Sequence, residues 1–163
     1  NCQKTVPTYE LRRRGYDLEA LPNDANSKMI QHNPGISKLW GEKDMDYRSY
    51  AKSVTMEDGT IRLQKTRTVK SEVINHLNSY PEGARVQLTY SYTQRKSGHT
   101  IVVERVPISK KFPKGLMFVD PQPMKIMSDF NLNGKTKFGA IRIDNKNIDA
   151  GMVPLIAKRS NKK

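Results

Sequence analysis

The sequence has 163 residues, of which 36% are hydrophobic and 28% charged, and its formal net charge is +13 at pH 7. This size and composition predict one globular, soluble domain over residues 1–163 and exclude a fibrous or wholly disordered chain. No apolar run reaches the length of about eighteen residues that a membrane span needs. With Cys2 as the only cysteine, an internal disulfide is excluded, and the three histidines are too scattered to favour a structural zinc site.

The excess of positive charge predicts attraction to an acidic partner, which is a nucleic acid, an anionic membrane face or an acidic protein. A dedicated nucleic-acid reader concentrates its charge on one helix or interleaves it with stacking aromatics. Here the basic residues are dispersed and aromatics make up 7% of the chain. The simplest interpretation of the positive charge is therefore a solvated basic surface. The main alternative is a surface that binds an acidic partner, and a nucleic acid is not favoured as that partner.

The first elements in chain order are a helix and a short strand. Apolar spacing from Gln3 to Arg14 predicts an amphipathic helix that ends at Gly15, with a start that Pro7 leaves uncertain by a few residues. The alternation in "YDLEAL" predicts a short half-buried strand. Residues 22–68 are less regular, with turn chemistry, a short helix within residues 37–54 and a strand after the turn in "MEDGTIRL".

The second half of the chain predicts one helix and then a sheet. Residues 68–83, "TVKSEVINHLNSYPEG", have helical periodicity and a Pro-Glu-Gly stop. Strands follow in "ARVQLTYSYT", "GHTIVVERV", "GLMFVD" and "FGAIRID". A helix followed by mostly antiparallel strands predicts the α+β class.

Three residues in special local settings form a candidate catalytic group. Cys2 precedes the first helix, His99 opens a strand, and Asp120 closes the next strand. A hairpin brings the start of one strand beside the end of its antiparallel neighbour, so His99 and Asp120 are expected to meet. A helix start and a nearby imidazolium stabilise a thiolate, while a carboxylate orients the imidazole. Taken singly, each residue has an ordinary structural interpretation, and the prediction depends on their conjunction.

The segments "NCQ…YELRRRGYDLEALP", "SGHTIVVE" and "FVDPQ" closely resemble the papain-fold toxin family, the predicted glutamine-deamidase domains at the ends of bacterial polymorphic toxins. The resemblance covers roughly residues 1 to 125, and it is strong at these three motifs and loose between them. It implies a papain-like cysteine hydrolase fold, in which the helix carrying the cysteine packs on the sheet carrying the histidine and aspartate.

By the same resemblance, Cys2 is the nucleophile, His99 the base and Asp120 the orienting acid. Gln122 and Gln3 are implied to bind substrate or to help form an oxyanion hole. No cofactor or metal is implied. The expected partners are a target protein and an acidic cognate immunity protein, and the expected setting is the cytoplasm of a target cell reached by secretion or injection.

The sequence departs from this family in two places. Papain-like enzymes have an oxyanion-hole glutamine several residues before the cysteine, and here only Asn1 precedes Cys2. That element either lies in a longer parent protein, of which this chain is expected to be an excised or processed part, or is replaced by backbone N–H groups near Cys2. Residues 131–163 do not align to the motifs and are predicted to be either an added strand pair or a basic, partner-binding extension.

The favoured function is deamidation of a glutamine side chain through a thioester acyl-enzyme. The same triad would cleave peptide or isopeptide bonds, or cross-link if an amine replaced water, and spacing does not separate these outcomes. Two other classes remain open: a basic, nucleic-acid-directed toxin that does not use Cys2, and a non-catalytic domain with an unreactive thiol.

Overall fold

The computed structural model describes residues 1–24, 39–41, 48–49, 52–55, 57, 61–64, 67–94 and 96–160. Its helices are α1 (Cys2–Arg13), α2 (Arg67–Ser79) and the one-turn α3 (Val153–Ile156), which follows a 3-10 turn at Ala150–Met152. Its strands are β1 (Leu18–Ala20), β2 (Arg48–Ser49), β3 (Lys52–Thr55), β4 (Ile61–Gln64), β5 (Arg85–Tyr92), β6 (Gly98–Arg105), β7 (Leu116–Asp120), β8 (Lys125–Met127), β9 (Lys135–Arg142) and β10 (Ala157–Arg159).

The main sheet has six strands in the order β2-β9-β5-β6-β7-β8, and every neighbouring pair is antiparallel. Two small antiparallel pairs, β1 with β10 and β3 with β4, lie outside it. The predicted α+β class, with an N-terminal helix and a mostly antiparallel sheet, is confirmed.

Helix α1 begins at Cys2, at the early limit of the range that the sequence predicts. The N–H groups of Lys4 and Thr5 both donate to the carbonyl of Asn1, at 3.0 and 3.1 Å. Pro7 therefore lies inside the helix, where it has no N–H to donate to the carbonyl four residues earlier. The helix ends before Gly15, whose φ of +96° suits glycine in this position.

The sheet buries apolar side chains on both faces, in keeping with the alternation along its strands. One face packs against α1 in a cluster that includes Val6, Leu11, Val102, Val119 and Ile143. The other packs against α2 in a cluster that includes Val73, Leu77, Leu88, Phe118 and Phe138. Residues of β6 and β7 belong to both clusters, so these two strands are packed on both faces.

A buried carboxylate fastens α1 to the sheet. Glu10 is fully buried and accepts hydrogen bonds from Arg14 of its own helix, at 2.8 Å, and from two nitrogens of Arg85 on β5. This pairing offsets the desolvation of the carboxylate. Since α1 carries Cys2, the same contacts fix the helix that carries the candidate nucleophile.

Residues 131–160, the described part of the segment that the sequence predicts to be either a strand pair or a basic extension, form part of the fold. From it, β9 lies between β2 and β5 in the main sheet, and β10 pairs with β1. Met152, Ile156 and Ala157 belong to the cluster under α1. Much of residues 37–54, where a short helix is expected, lies outside the described residues. The described part contains one helical residue, Leu39, together with β2 and most of β3. Within the described residues, no helix has the length and apolar character needed to cross a membrane.

Candidate active site

His99 and Asp120 meet at one end of the main sheet. His99 is the second residue of β6 and Asp120 the last of β7, and these strands are antiparallel neighbours. The imidazole Nε2 lies 2.7 Å from Oδ2 of Asp120. Their side chains are 15% and 18% exposed, so the pair is largely shielded yet open to a ligand.

A turn after β7 orients the carboxylate. The backbone N–H of Gln122 donates to Oδ1 of Asp120 at 3.2 Å, which leaves Oδ2 for His99. Each carboxylate oxygen therefore has one partner, and the plane of the group is set. A carboxylate held in this way fixes the tautomer and the orientation of the imidazole.

Cys2 reaches the imidazole from the first turn of α1. Its thiol is half-buried and hydrogen-bonds the His99 side chain. Since Nε2 is bound to Asp120, the ring nitrogen that remains for the thiol is Nδ1. A backbone hydrogen bond from Thr100 also reaches the sulfur. The three residues thus form a continuous chain from sulfur through the imidazole to the carboxylate.

The electrostatics of this chain favour an ion pair between Cys2 and His99. Burial opposes charge on the thiol, yet its hydrogen bond to His99, the positive charge of the imidazole and the Thr100 N–H together lower the pKa of Cys2. Burial likewise opposes charge on the imidazole, but its bonds to Cys2 and Asp120 raise the pKa of His99. Both shifts favour thiolate and imidazolium over the neutral pair.

The start of α1 presents backbone donors beside the sulfur. Because Lys4 and Thr5 donate to Asn1, the N–H groups of Cys2 and Gln3 begin the helix without an intrahelical acceptor. These groups and the helix dipole favour negative charge at this point. They form a natural site for an oxygen that becomes an anion next to Cys2.

The two glutamines that the resemblance assigns to this site have different surroundings. Oε1 of the exposed Gln122 is 3.5 Å from the Asn1 nitrogen, which places its carboxamide at the start of α1. Oε1 of Gln3 is buried and has no hydrogen-bond partner among the described residues. The structure thus brings Gln122 to the edge of the site, whereas Gln3 contributes its backbone N–H rather than an exposed carboxamide.

Tyr90 is a neighbour of the site that the sequence does not single out. It pairs directly with His99 across β5 and β6, and the two rings meet edge to face with centroids 5.9 Å apart. Burial and a hydrogen bond to Tyr92 raise the pKa of the Tyr90 phenol, as do the nearby charges of Asp120 and Cys2. Counting from a turn at "RKSG" would have paired Gln94 with His99, whereas the observed connection runs over residues 93–97, so the sequence did not reveal this contact.

Fold and site together define an α+β protein with a hydrogen-bonded Cys-His-Asp group at one end of its antiparallel sheet. No protein-family model matches the sequence, and no curated protein matches it. Among the described residues, no group of three or more His, Cys, Asp or Glu side chains is placed to hold a metal ion. The functional conclusion therefore depends on the geometry and chemistry of the site itself.

Proposed function

We propose that this protein is a cysteine hydrolase that deamidates a glutamine side chain of a target protein. The observation that carries the proposal is the continuous hydrogen-bonded chain from Cys2 through His99 to Asp120. In that chain each group has the partner that thiolate catalysis requires: a base for the sulfur, and a carboxylate for the base.

In the first half-reaction, the Cys2 thiolate attacks the carbonyl carbon of the glutamine carboxamide. The carbon–sulfur bond forms as the carbonyl π electrons move onto oxygen, giving a tetrahedral oxyanion. Collapse of this species breaks the carbon–nitrogen bond, and the imidazolium of His99 gives its proton to the departing nitrogen. Ammonia leaves, and a thioester between Cys2 and the glutamyl group remains.

In the second half-reaction, neutral His99 removes a proton from a water molecule, which attacks the thioester carbonyl. The carbon–sulfur bond breaks, glutamate is released, and the thiolate–imidazolium pair is restored. Asp120 keeps the imidazole oriented through both halves and stabilises its positive charge.

The oxyanion of each half-reaction is expected to bind at the start of α1. The N–H groups of Cys2 and Gln3 are donors there, and the Gln122 side chain lies near enough to Asn1 to add a third. Donors held in place before the reaction stabilise developing charge without rearrangement. By this assignment the oxyanion is bound by backbone groups near Cys2 and by the Gln122 side chain.

A papain-like fold and a toxin role belong to the same proposal. A helix that carries the cysteine at its first residue and an antiparallel sheet that carries the base and acid on adjacent strands are both consistent with it. By that resemblance the protein acts on a target-cell protein and is neutralised by an acidic immunity protein, for which the net charge of +13 is suited.

The first test measures the rate at which iodoacetamide alkylates Cys2 between about pH 4 and pH 9. Because Cys2 is the only cysteine, the mass increase reports one site. The expected result is fast alkylation well below the ordinary thiol pKa of about 8.5, lost in His99→Ala. His76→Ala is the matched control, since it removes the same side chain from α2.

Alkylation that follows an ordinary thiol in all three proteins would overturn the proposal and favour a non-catalytic domain. Deamidation is distinguished from peptide-bond cleavage by the products. Ammonia with an intact target chain supports the deamidase, whereas new chain termini support a protease. Toxicity that survives Cys2→Ala but is lost on reversal of an exposed charge, as in Arg12→Glu, would favour a nucleic-acid-directed toxin.

A further inference from the structure

Lys125 is an exposed cation placed directly beside the triad. It is the first residue of β8, and its register partner on β7 is Asp120. Directly opposed residues of an antiparallel pair point to the same face of the sheet, so Lys125 shares the face of the carboxylate that holds His99. The described residues give Lys125 no ion pair, and its side chain is exposed to solvent.

Lys96 adds a second exposed cation at the same end of the sheet. It lies in the β5–β6 turn, three residues before His99. Acidic side chains also lie near this end of the sheet. Those whose contacts are described are already paired, either with a cation or within the triad. Asp24 is paired with Lys4, and Asp120 is paired with His99. The entrance to the site is therefore positively charged in its described part.

We propose that Lys125, assisted by Lys96, selects a polypeptide segment in which the target carboxamide is flanked by acidic side chains. The inference rests on the proposed function and names the substrate class for the same site. A carboxylate beside the target glutamine would meet the ammonium of Lys125 while the carboxamide carbon reaches Cys2. Charges arranged in this way raise the local concentration of an acidic segment and set its orientation.

The test compares two alkylating reagents that differ in charge. With each reagent the Cys2 thiolate displaces iodide from carbon, but iodoacetate carries a carboxylate and iodoacetamide is neutral. Both reagents react with the same thiolate, so the fraction of Cys2 that is ionised cancels in the ratio of the two rates. The ratio therefore reports the electrostatic potential at Cys2 and not the pKa of its thiol. Reversal of one charge about 10 Å away changes the local concentration of an anion by roughly threefold at low salt.

We expect Lys125→Glu to lower the iodoacetate-to-iodoacetamide ratio about threefold, and Lys125→Glu with Lys96→Glu to lower it further. Lys110→Glu is the matched control because Lys110 is exposed in the loop at the opposite end of the β6–β7 hairpin. It makes the same change in net charge and should leave the ratio nearly constant. The same iodoacetate-to-iodoacetamide ratio in all variants would overturn the inference. The rate with iodoacetamide alone separately reports whether Cys2 is activated by the triad.

A competition arm separates a polypeptide from a nucleic acid. Poly-glutamate and a single-stranded oligonucleotide of equal charge are each added before iodoacetamide. Protection of Cys2 by poly-glutamate that is lost in Lys125→Glu supports the assignment. Protection by the oligonucleotide with none from poly-glutamate would overturn it.

Discussion

The backbone of Tyr90 leaves no room for a side chain on Gly98. A Cβ atom at Gly98 would lie 2.6 Å from the carbonyl oxygen of Tyr90, and 3.5 Å from its carbonyl carbon. Gly98 is the first residue of β6 and directly precedes His99. The close approach of β5 and β6 at this point therefore depends on glycine. Because His99 is the next residue, the same approach determines where its imidazole lies relative to Cys2 and Asp120.

Gly98→Ala is expected to uncouple the site while most of the fold persists. The new methyl group must push the start of β6 away from β5, and His99 moves with it. Because the thiolate depends on its bond to His99, we expect the alkylation rate of Cys2 at about pH 6 to fall tenfold or more. Ser97→Ala, one residue earlier in an exposed position, is the control and should retain the wild-type rate.

Asp120→Asn tests whether a charge, and not only a hydrogen bond, orients His99. The amide keeps the size of the side chain but loses the charge that stabilises the imidazolium, and a hydrogen bond to a charged group contributes about 1.5–3 kcal/mol. The pKa of His99 should fall, and alkylation at about pH 6 should slow by roughly tenfold. A pH profile that coincides with that of the wild type would assign Asp120 a purely structural role.

The Cys2→Ala variant is expected to lower the pKa of His99, as read from the pH dependence of its imidazole resonances. The bond to Cys2 is the largest influence raising that pKa, and burial, which lowers it, would remain. The His76 resonance in the same spectra is the internal control. Retention of the raised value would mean that Asp120 alone sustains it.

The same shift has a consequence for stability with a definite sign. The pKa of His99 in the folded protein lies above its unfolded value of about 6.5. Its stabilising contribution is therefore complete below that pH and is lost as pH rises through the folded value. The lowered pKa of Cys2 has the opposite effect, because its stabilising contribution grows as pH rises toward the unfolded thiol value of about 8.5. In wild type minus Cys2→Ala the two contributions oppose each other, so the difference in unfolding free energy should change little between about pH 6.5 and pH 8.5. A steep change of that difference in this range, in either direction, would contradict this account.

Glu10→Gln tests the attachment of α1 to the sheet. The substitution leaves Arg14 and Arg85 without the buried carboxylate between them, and we expect a loss of about 3 kcal/mol in the free energy of unfolding. Urea denaturation measures it. Glu19→Gln is the control, because Glu19 pairs with Lys158 at 2.8 Å in an exposed position and should change stability by less than about 1 kcal/mol. Equal effects of the two variants would show that the buried network is not what fastens α1.

The local elements of the fold could be predicted from the sequence because they depend on nearby residues. The helical spacing of apolar residues predicts α2, which is observed at Arg67–Ser79. The alternation of apolar and polar residues predicts β5, β6 and β7. The order of strands could not be predicted, since the place of β9 between β2 and β5 depends on contacts across the whole chain. The start of α1 was uncertain because Pro7 is unfavourable in a helix, and packing against the sheet overrides that preference.

The candidate site was predictable where chain direction alone determines it. His99 at the start of one strand and Asp120 at the end of its neighbour follow from hairpin geometry, and they lie 2.7 Å apart. The Thr100 N–H at the Cys2 sulfur could not be foreseen, because a backbone donor carries no sequence signal. The burial of the Gln3 oxygen was likewise hidden, since it depends on how α1 sits on the sheet.

Because β9 follows the three reactive residues in the chain, those residues are synthesised before the sheet that holds their site can be completed. Cys2, His99 and Asp120 all precede residue 135, where β9 begins. A nascent or truncated chain that ends before this residue contains the complete triad but lacks the strand that pairs with β5 along most of its length. We expect such a chain to expose an ordinary thiol, so that a segment made after the whole triad decides when Cys2 becomes reactive.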